Sequence, residues 1–128
     1  MTLLMDTHVF LWWVTDAPGL SVRAREEIAN AGNDILLSAV SGWEIAIKSV
    51  LGRLDLPDEP PVFVPEQLHR NNFGVLPVSL HHSLAVHALP SHHRDPFDRL
   101  LIAQAQSEKI PFISGDDRLA KYDVEIVW

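Results

Sequence analysis

The chain has 128 residues, no cysteine and a formal net charge of −7 at pH 7. That length suits one domain, which buries about two-thirds of its unfolded surface without a disulfide or metal staple. The missing cysteines exclude disulfides, thiolate zinc sites and cysteine nucleophiles, and the acidic balance argues against strong non-specific affinity for nucleic acid, whose phosphates favour a basic surface. The first residues, Met-Thr-Leu-Leu-Met-Asp, have neither the basic nor the apolar region of a signal peptide. The apolar stretches are broken by polar residues far short of the ~20 needed to span a bilayer. A cytoplasmic protein with no membrane partner is expected.

The short apolar run Leu3, Leu4 and Met5, ending at Asp6, reads as a buried first strand. A short helix over 7–14 follows, carrying Phe10, Leu11 and Trp13, and then a turn at 16–19. Ser21 caps a helix with Ala24, Ile28 and Ala31 on one face, stopped by Gly32. Ile35 to Leu37 form a second strand ending at Ser38. The spacing predicts a helix over 39–51 whose core-facing stripe is Trp43, Ala46, Ile47, Val50 and Leu51. Pro57, Pro60, Pro61 and Pro65 make 56–65 a loop with little room for helix, with a helix over 65–71 and a short strand over 75–77. Leu80 and Leu84 share one side of a helix over 80–89. Asp95 is a good N-cap, Pro96 fits the first helical position, and Asp98 sits near the positive end of a buried helix carrying Leu100, Leu101, Ile102, Ala103 and Ala105. Strands at 111–113 and 124–127 complete the chain. Short strands alternating with helices, without repeat or linker, predict a single α/β domain over 1–128 with a parallel sheet covered on both faces.

Ligands of such sheets bind outside the carboxyl ends of the strands. Asp6 ends the first strand, Asp116 lies just past the fourth, Asp98 opens a helix at that edge, and Glu44 lies one to two turns into the helix after the second strand. Converging carboxylates repel one another unless they share protons or bind a cation. Hard oxygen ligands suit magnesium or manganese, and such an ion is suited to phosphodiester hydrolysis. Each acid also has a structural reading alone. Asp6 can cap a helix, and Ser41 to Glu44 matches a capping box with Glu44 and Lys48 as an i, i+4 ion pair. Asp98 can serve the helix dipole, while Asp116 and Asp117 can be turn residues. The functional reading rests on their joint position.

Four stretches carry a family resemblance: Met5-Asp6-Thr7-His8; Ser38-Ala39-Val40-Ser41-Gly42-Trp43-Glu44-Ile45-Ala46-Ile47-Lys48; Asp95-Pro96-Phe97-Asp98-Arg99-Leu100-Leu101-Ile102-Ala103-Gln104-Ala105; and Ile113-Ser114-Gly115-Asp116. In this order, spread over essentially the whole chain, they resemble the PIN-domain ribonucleases, and closely the VapC-type toxins of bacterial toxin–antitoxin pairs. The resemblance implies a three-layer α/β/α sandwich around a mainly parallel five-stranded sheet. It implies that Asp6, Glu44, Asp98 and Asp116 are the acidic quartet of a metal-dependent endoribonuclease. Asp6 and Asp98 are then the principal ligands of Mg2+ or Mn2+, and Glu44 and Asp116 act directly or through water. Ser114 helps hold the last acid and Thr7 orients the strand end. Lys48 and Arg99 are candidates for contacts to substrate phosphate, with a structural ion pair the alternative for each. RNA is the implied substrate, hydrolysed by a metal-activated water. A cognate antitoxin and a second copy of the chain are the implied partners. Asp117, directly after Asp116, leaves open which of the two faces the metal.

The seven histidines read as solvated or core-edge rather than as a transition-metal site, and His8 as surface packing or an approach to the acids. Trp43 reads as core, and Trp128 as a cover for the sheet edge. Two other functions compete. A phosphoaspartate phosphatase lacks its Asp-x-Asp after the first strand, and a receiver domain lacks its central Asp after the third. A catalytically inactive protein- or RNA-binding module would have no reason to keep four mutually repelling acids.

Overall fold

The computed structural model describes all residues from 1 to 128. In chain order its elements are β1 (Thr2–Met5), α1 (Thr7–Val14), α2 (Val22–Ala29), β2 (Asp34–Ser38), α3 (Ala39–Val50), α4 (Pro60–Asn71), β3 (Gly74–Leu76), α5 (Leu80–Ala85), α6 (Pro96–Glu108), β4 (Phe112–Ile113) and β5 (Ile126–Val127). Turns of 3-10 helix at Val86–Ala88 and Asp117–Lys121 follow α5 and β4. The strands form one sheet in the order β3-β2-β1-β4-β5, and every pairing is parallel. The order reverses direction between β1 and β4, which makes that gap the switch point where α/β sheets bind ligands.

Both faces of the sheet are covered, as a parallel sheet requires. Side chains alternate along β1, so Leu3 and Met5 join one core and Leu4 the other. The first core adds Val9 and Phe10 of α1, Ala24 and Ile28 of α2, and Ile45 of α3. The second adds Leu101, Ile102 and Ala105 of α6, with Phe112 and Leu119. This is the expected three-layer α/β/α sandwich. Each fully buried side chain of this size contributes about 1.5–3 kcal/mol, so these two clusters fix where the strand ends sit.

A buried polar chain ties α6 to the start of α3. Gln104 is fully buried and accepts from the Ser38 hydroxyl. Its amide donates to the carbonyl of Pro77 at 3.2 Å and approaches Nδ1 of His82 at 3.3 Å. Ser38 is also the N-cap of α3, accepting from the Val40 amide at 3.1 Å. Among the expected core-edge histidines, His82 is buried and reaches Glu108 through Nε2 at 3.2 Å.

Two sequence-based expectations are corrected. The apolar stripe of α3 does not face the core: Val50 is 88% exposed and Trp43, expected in the core, is 61% exposed. The face turned inward is Val40, Ser41, Glu44 and Ile45. The Ser38 cap at the end of β2 sets the phase of the helix, and that phase points polar residues at the strand ends. Trp43 instead packs edge-on against Phe97 at 5.2 Å. Leu80 and Leu84 are likewise exposed. Second, α4 begins at Pro60 rather than at 65. Pro60 and Pro61 occupy its first turn, where a missing N–H costs nothing, and buried Phe63 and Val64 outweigh the single bond lost at Pro65. The paired tryptophans are both half-buried, Trp12 over Gly19 and Trp13 donating to Asn71 at 2.9 Å.

Replacing Gln104 by Leu keeps the volume but removes the acceptor of Ser38 and the donor to Pro77. Stability in urea unfolding should fall by about 1–3 kcal/mol, the cost of orphaning the buried Ser38 hydroxyl, because Pro77 is exposed and its carbonyl can turn to water. An unchanged midpoint would show that the buried chain does not tie α6 to α3.

Candidate active site

Asp6 ends β1 and caps α1. It is 2% exposed, with Oδ1 accepting from the Thr7 amide at 2.7 Å and Oδ2 from the Ser114 hydroxyl at 2.7 Å. Ser114 follows β4 next door, and its Oγ also accepts from the Asp116 amide at 3.2 Å. One hydroxyl therefore links two acids across the switch point. The Thr7 hydroxyl donates to that of Ser41 at 2.8 Å, binding the start of α1 to α3. Ser41 is thus not a cap, and the capping-box reading of Glu44 falls away because Ser38 caps this helix.

Glu44 points inward from α3 and is 5% exposed. Its Oε2 pairs with Lys48, while its Oε1 is buried with no hydrogen-bond partner. Asp98 enters at the third position of α6, behind the Asp95 cap, which accepts from the amides of Phe97 and Asp98 at 2.8 and 3.2 Å. Asp116 caps the turn after β4 and is clamped by Arg118, whose Nε and Nη2 donate to its two oxygens at 2.9 and 2.8 Å.

Asp6, Glu44, Asp98 and Asp116 line one cavity of about 270 Å³, together with Thr7, His8, Lys48 and Arg118. Asp117 does not line it and is exposed, so Asp116 is the acid that faces the site. The structure does not place Arg99 with the acids: its guanidinium donates to the carbonyl of Pro90 at 2.8 Å and also reaches the carbonyls of His93, Val86 and Leu89 and the Tyr122 hydroxyl. It holds the segment before α6 together, forms no ion pair and is not among the residues that line the cavity. Lys48 does line the cavity.

Two contributors, Arg118 and His93, have no assigned role in the sequence reading, and a third, His8, is left open there. Arg118 carries a recognisable signal, a cation two residues past a turn-capping Asp. His8 extends its Nδ1 to Asp6 at 3.4 Å, so it does approach the acids. His93 is buried with Nε2 at 3.1 Å from Asp98 and 3.2 Å from Asp116. Its position two residues before the cap Asp95 was hidden by the neighbouring histidines.

The charges are strained without a cation. Burial, reinforced by Asp6, Asp95, Glu44 and Asp116, pushes the Asp98 carboxyl up to about 8. Burial also raises Asp6, against the opposing pull of His8, Ser114 and Thr7. Asp116 is lowered to about 2, chiefly by Arg118. The Glu44 carboxylate raises Lys48. The unpartnered Oε1 of Glu44 and the raised acids fit a hard divalent cation, which would occupy the orphaned oxygen and restore the ionised forms.

Residues 3–125 match the PIN domain family model. Ribonuclease VapC22 of Mycobacterium tuberculosis is 32% identical over 124 residues, 94% of this chain and 92% of that protein. Ribonuclease VapC16 of the same organism is 40% identical over 63 residues, 49% of this chain and 43% of that protein. Among solved structures, VapBC2 from Rickettsia felis bound to a promoter DNA fragment superposes with TM-score 0.73 at 12% identity, covering 98% of this chain and 97% of that one. FitAcB from Neisseria gonorrhoeae superposes with TM-score 0.66 at 18% identity, covering 97% and 95%.

The raised acids set the direction of a pH effect. A carboxyl pushed from 3.8 to about 8 by folding makes the folded state bind more protons than the unfolded state in that interval. Metal-free stability therefore falls as pH rises through it. Thermal melts in EDTA should show this decline between about pH 4 and 8, and Asp98→Asn should flatten it and stabilise the metal-free protein at pH 8.5. Parallel profiles for the two proteins would contradict the assignment.

Proposed function

The chain belongs to the PIN domain family, and on that basis we propose that it is a metal-dependent endoribonuclease, acting as the toxin of a toxin–antitoxin pair. The observation that carries this reading is the orphaned Glu44 Oε1 inside a cavity of four carboxylates at the switch point of the sheet. The ribonuclease names of its relatives support the substrate, and structural neighbours from toxin–antitoxin systems of Klebsiella pneumoniae and Mycobacterium tuberculosis support the role.

Asp6 and Asp98 would hold Mg2+, with Mn2+ able to replace it, and Glu44 and Asp116 would complete the shell directly or through water. When bound, the ion supplies a water acidic enough to attack a phosphodiester and a charge that stabilises the leaving oxygen. The chain's own residues do the rest. Ser114 and the Thr7 amide aim Asp6, Asp95 fixes the turn that presents Asp98, and Lys48 stands beside the acids as a contact for substrate phosphate. Arg118, clamped on Asp116, is a second cation available to phosphate. The strongly acidic chain then approaches RNA through these cations and its metal rather than through a broad basic surface.

The exposed apolar residues Trp43, Val50, Leu80 and Leu84 are suited to protein contacts, with the cognate antitoxin and a second copy of the chain as the partners. No helix is long and apolar enough to cross a membrane, and the cytoplasm, where RNA and antitoxin are met, is the proposed location. The chain acts as a single nuclease domain.

Purified protein incubated with a cellular RNA pool should give discrete fragments with Mg2+ or Mn2+ and none with EDTA. Asp6→Asn should lower the rate by at least ~100-fold, more than the loss of an outer-shell partner brings. Undiminished cleavage by Asp6→Asn would move the site elsewhere. No cleavage by folded, partner-free protein would favour the inactive binding module.

A further inference from the structure

We propose that His93 is a positioning residue that holds Asp98 and Asp116 in the geometry a divalent cation requires, and that it is not itself a ligand. This rests on the metal-dependent reading of the pocket. By distance alone the opposite conclusion is tempting: Nε2 of His93 and one oxygen each of Asp98 and Asp116 lie within 4.8 Å of one another, as a ligand set would.

The hydrogen bonds argue otherwise. Nδ1 of His93 accepts from the Asp95 backbone amide at 3.0 Å, so that nitrogen carries no proton and the ring's N–H is on Nε2. A protonated ring nitrogen has no lone pair for a metal. It has a hydrogen to give, and Nε2 makes a hydrogen bond of 3.2 Å to Oδ2 of Asp116 while lying 3.1 Å from Oδ2 of Asp98. The position agrees. The His93 side chain is 3% exposed, and it is not among the residues that line the acidic cavity, whereas both of its partners are. The imidazole therefore reaches the two carboxylates from behind.

The same device recurs across the switch point. Nε2 of His8 accepts from the Gly115 amide at 3.2 Å, and Nδ1 is turned toward Oδ2 of Asp6 at 3.4 Å. In both cases a backbone amide fixes the tautomer and leaves the other nitrogen beside a carboxylate, hydrogen-bonded for His93 and at ion-pair distance for His8, and outer-shell groups so placed orient metal ligands. Asp95 has two tasks in this scheme. Its side chain caps α6 and its amide sets the His93 proton, so the start of the helix and the aim of Asp98 are fixed together.

The test is a Mn2+ titration followed by the electron paramagnetic resonance of free ion, on wild type, His93→Ala, His93→Gln and Asp98→Asn, with Co2+ absorption spectra of the same proteins. Gln supplies an N–H near the place of Nε2 and no imidazole. His93→Ala should weaken Mn2+ binding about 10- to 100-fold, the usual effect of removing an outer-shell partner, and His93→Gln should recover most of the loss. The Co2+ spectrum of His93→Gln should match wild type in band position, because no nitrogen ligand has been removed. If His93→Ala does not fold, His93→Gln and its spectrum carry the test. Wild-type affinity in folded His93→Ala overturns the proposal. So does a Co2+ spectrum that loses a nitrogen-ligand signature in His93→Gln, which would make His93 a ligand. Those outcomes leave the metal site intact if Asp98→Asn abolishes binding. A wild-type protein that binds neither ion overturns the site and the proposal with it.

Discussion

A buried carboxylate loses hydration worth several kcal/mol and must recover it from donors or from a cation. Asp6 is in this position at the end of the central strand, and its partners come from separate parts of the chain. The Thr7 amide belongs to the start of α1, the Ser114 hydroxyl to the segment after β4, and His8 to the first turn of α1. Thr7 then reaches Ser41 of α3, and Ser114 reaches the Asp116 amide. Solvating this one anion therefore draws together two strands and two helices at the edge where the parallel sheet reverses its order.

The remaining acids follow a different logic. Asp116 is satisfied by Arg118 and stays ionised, whereas Asp98 is raised because burial and four neighbouring acids oppose its charge. Glu44 is half satisfied, by Lys48 on one oxygen only. The protein alone thus neutralises some of the pocket and leaves a defined remainder. That remainder, two raised acids and one orphaned oxygen, is a local destabilisation that a bound cation would relieve. Function and fold compete here, and the buried chain from Ser38 through Gln104 to His82 helps hold the helices against the repulsion.

Much of this was legible in the sequence because it obeys local rules. Asp95 and Pro96 announce the start of α6, and the apolar runs at Leu3 to Met5 and Phe112 to Ile113 announce strands buried on both faces. The acids at 6, 98 and 116 are readable as strand ends and a helix start. What failed depended on phase and on contacts distant in sequence. The 3.6-residue period of α3 identifies an apolar stripe but not which way it points. The cap at Ser38 turned Trp43 and Val50 outward and Glu44 inward. Arg99 stands next to Asp98 yet spends its guanidinium on carbonyls of the segment before α6. Among seven histidines, only the folded chain distinguishes His93, which meets Asp116 across 23 residues.

The most direct measurement is anomalous diffraction from crystals equilibrated with Mn2+. One strong peak should stand in the cavity between the carboxylates of Asp6 and Asp98, with oxygens at about 2.1 Å, the range of hard-cation ligation, and with Glu44 Oε1 turned toward it. An empty cavity, in crystals whose surface carboxylates do hold Mn2+ and with Arg118 still clamped on Asp116, would contradict a cation site built by these four acids.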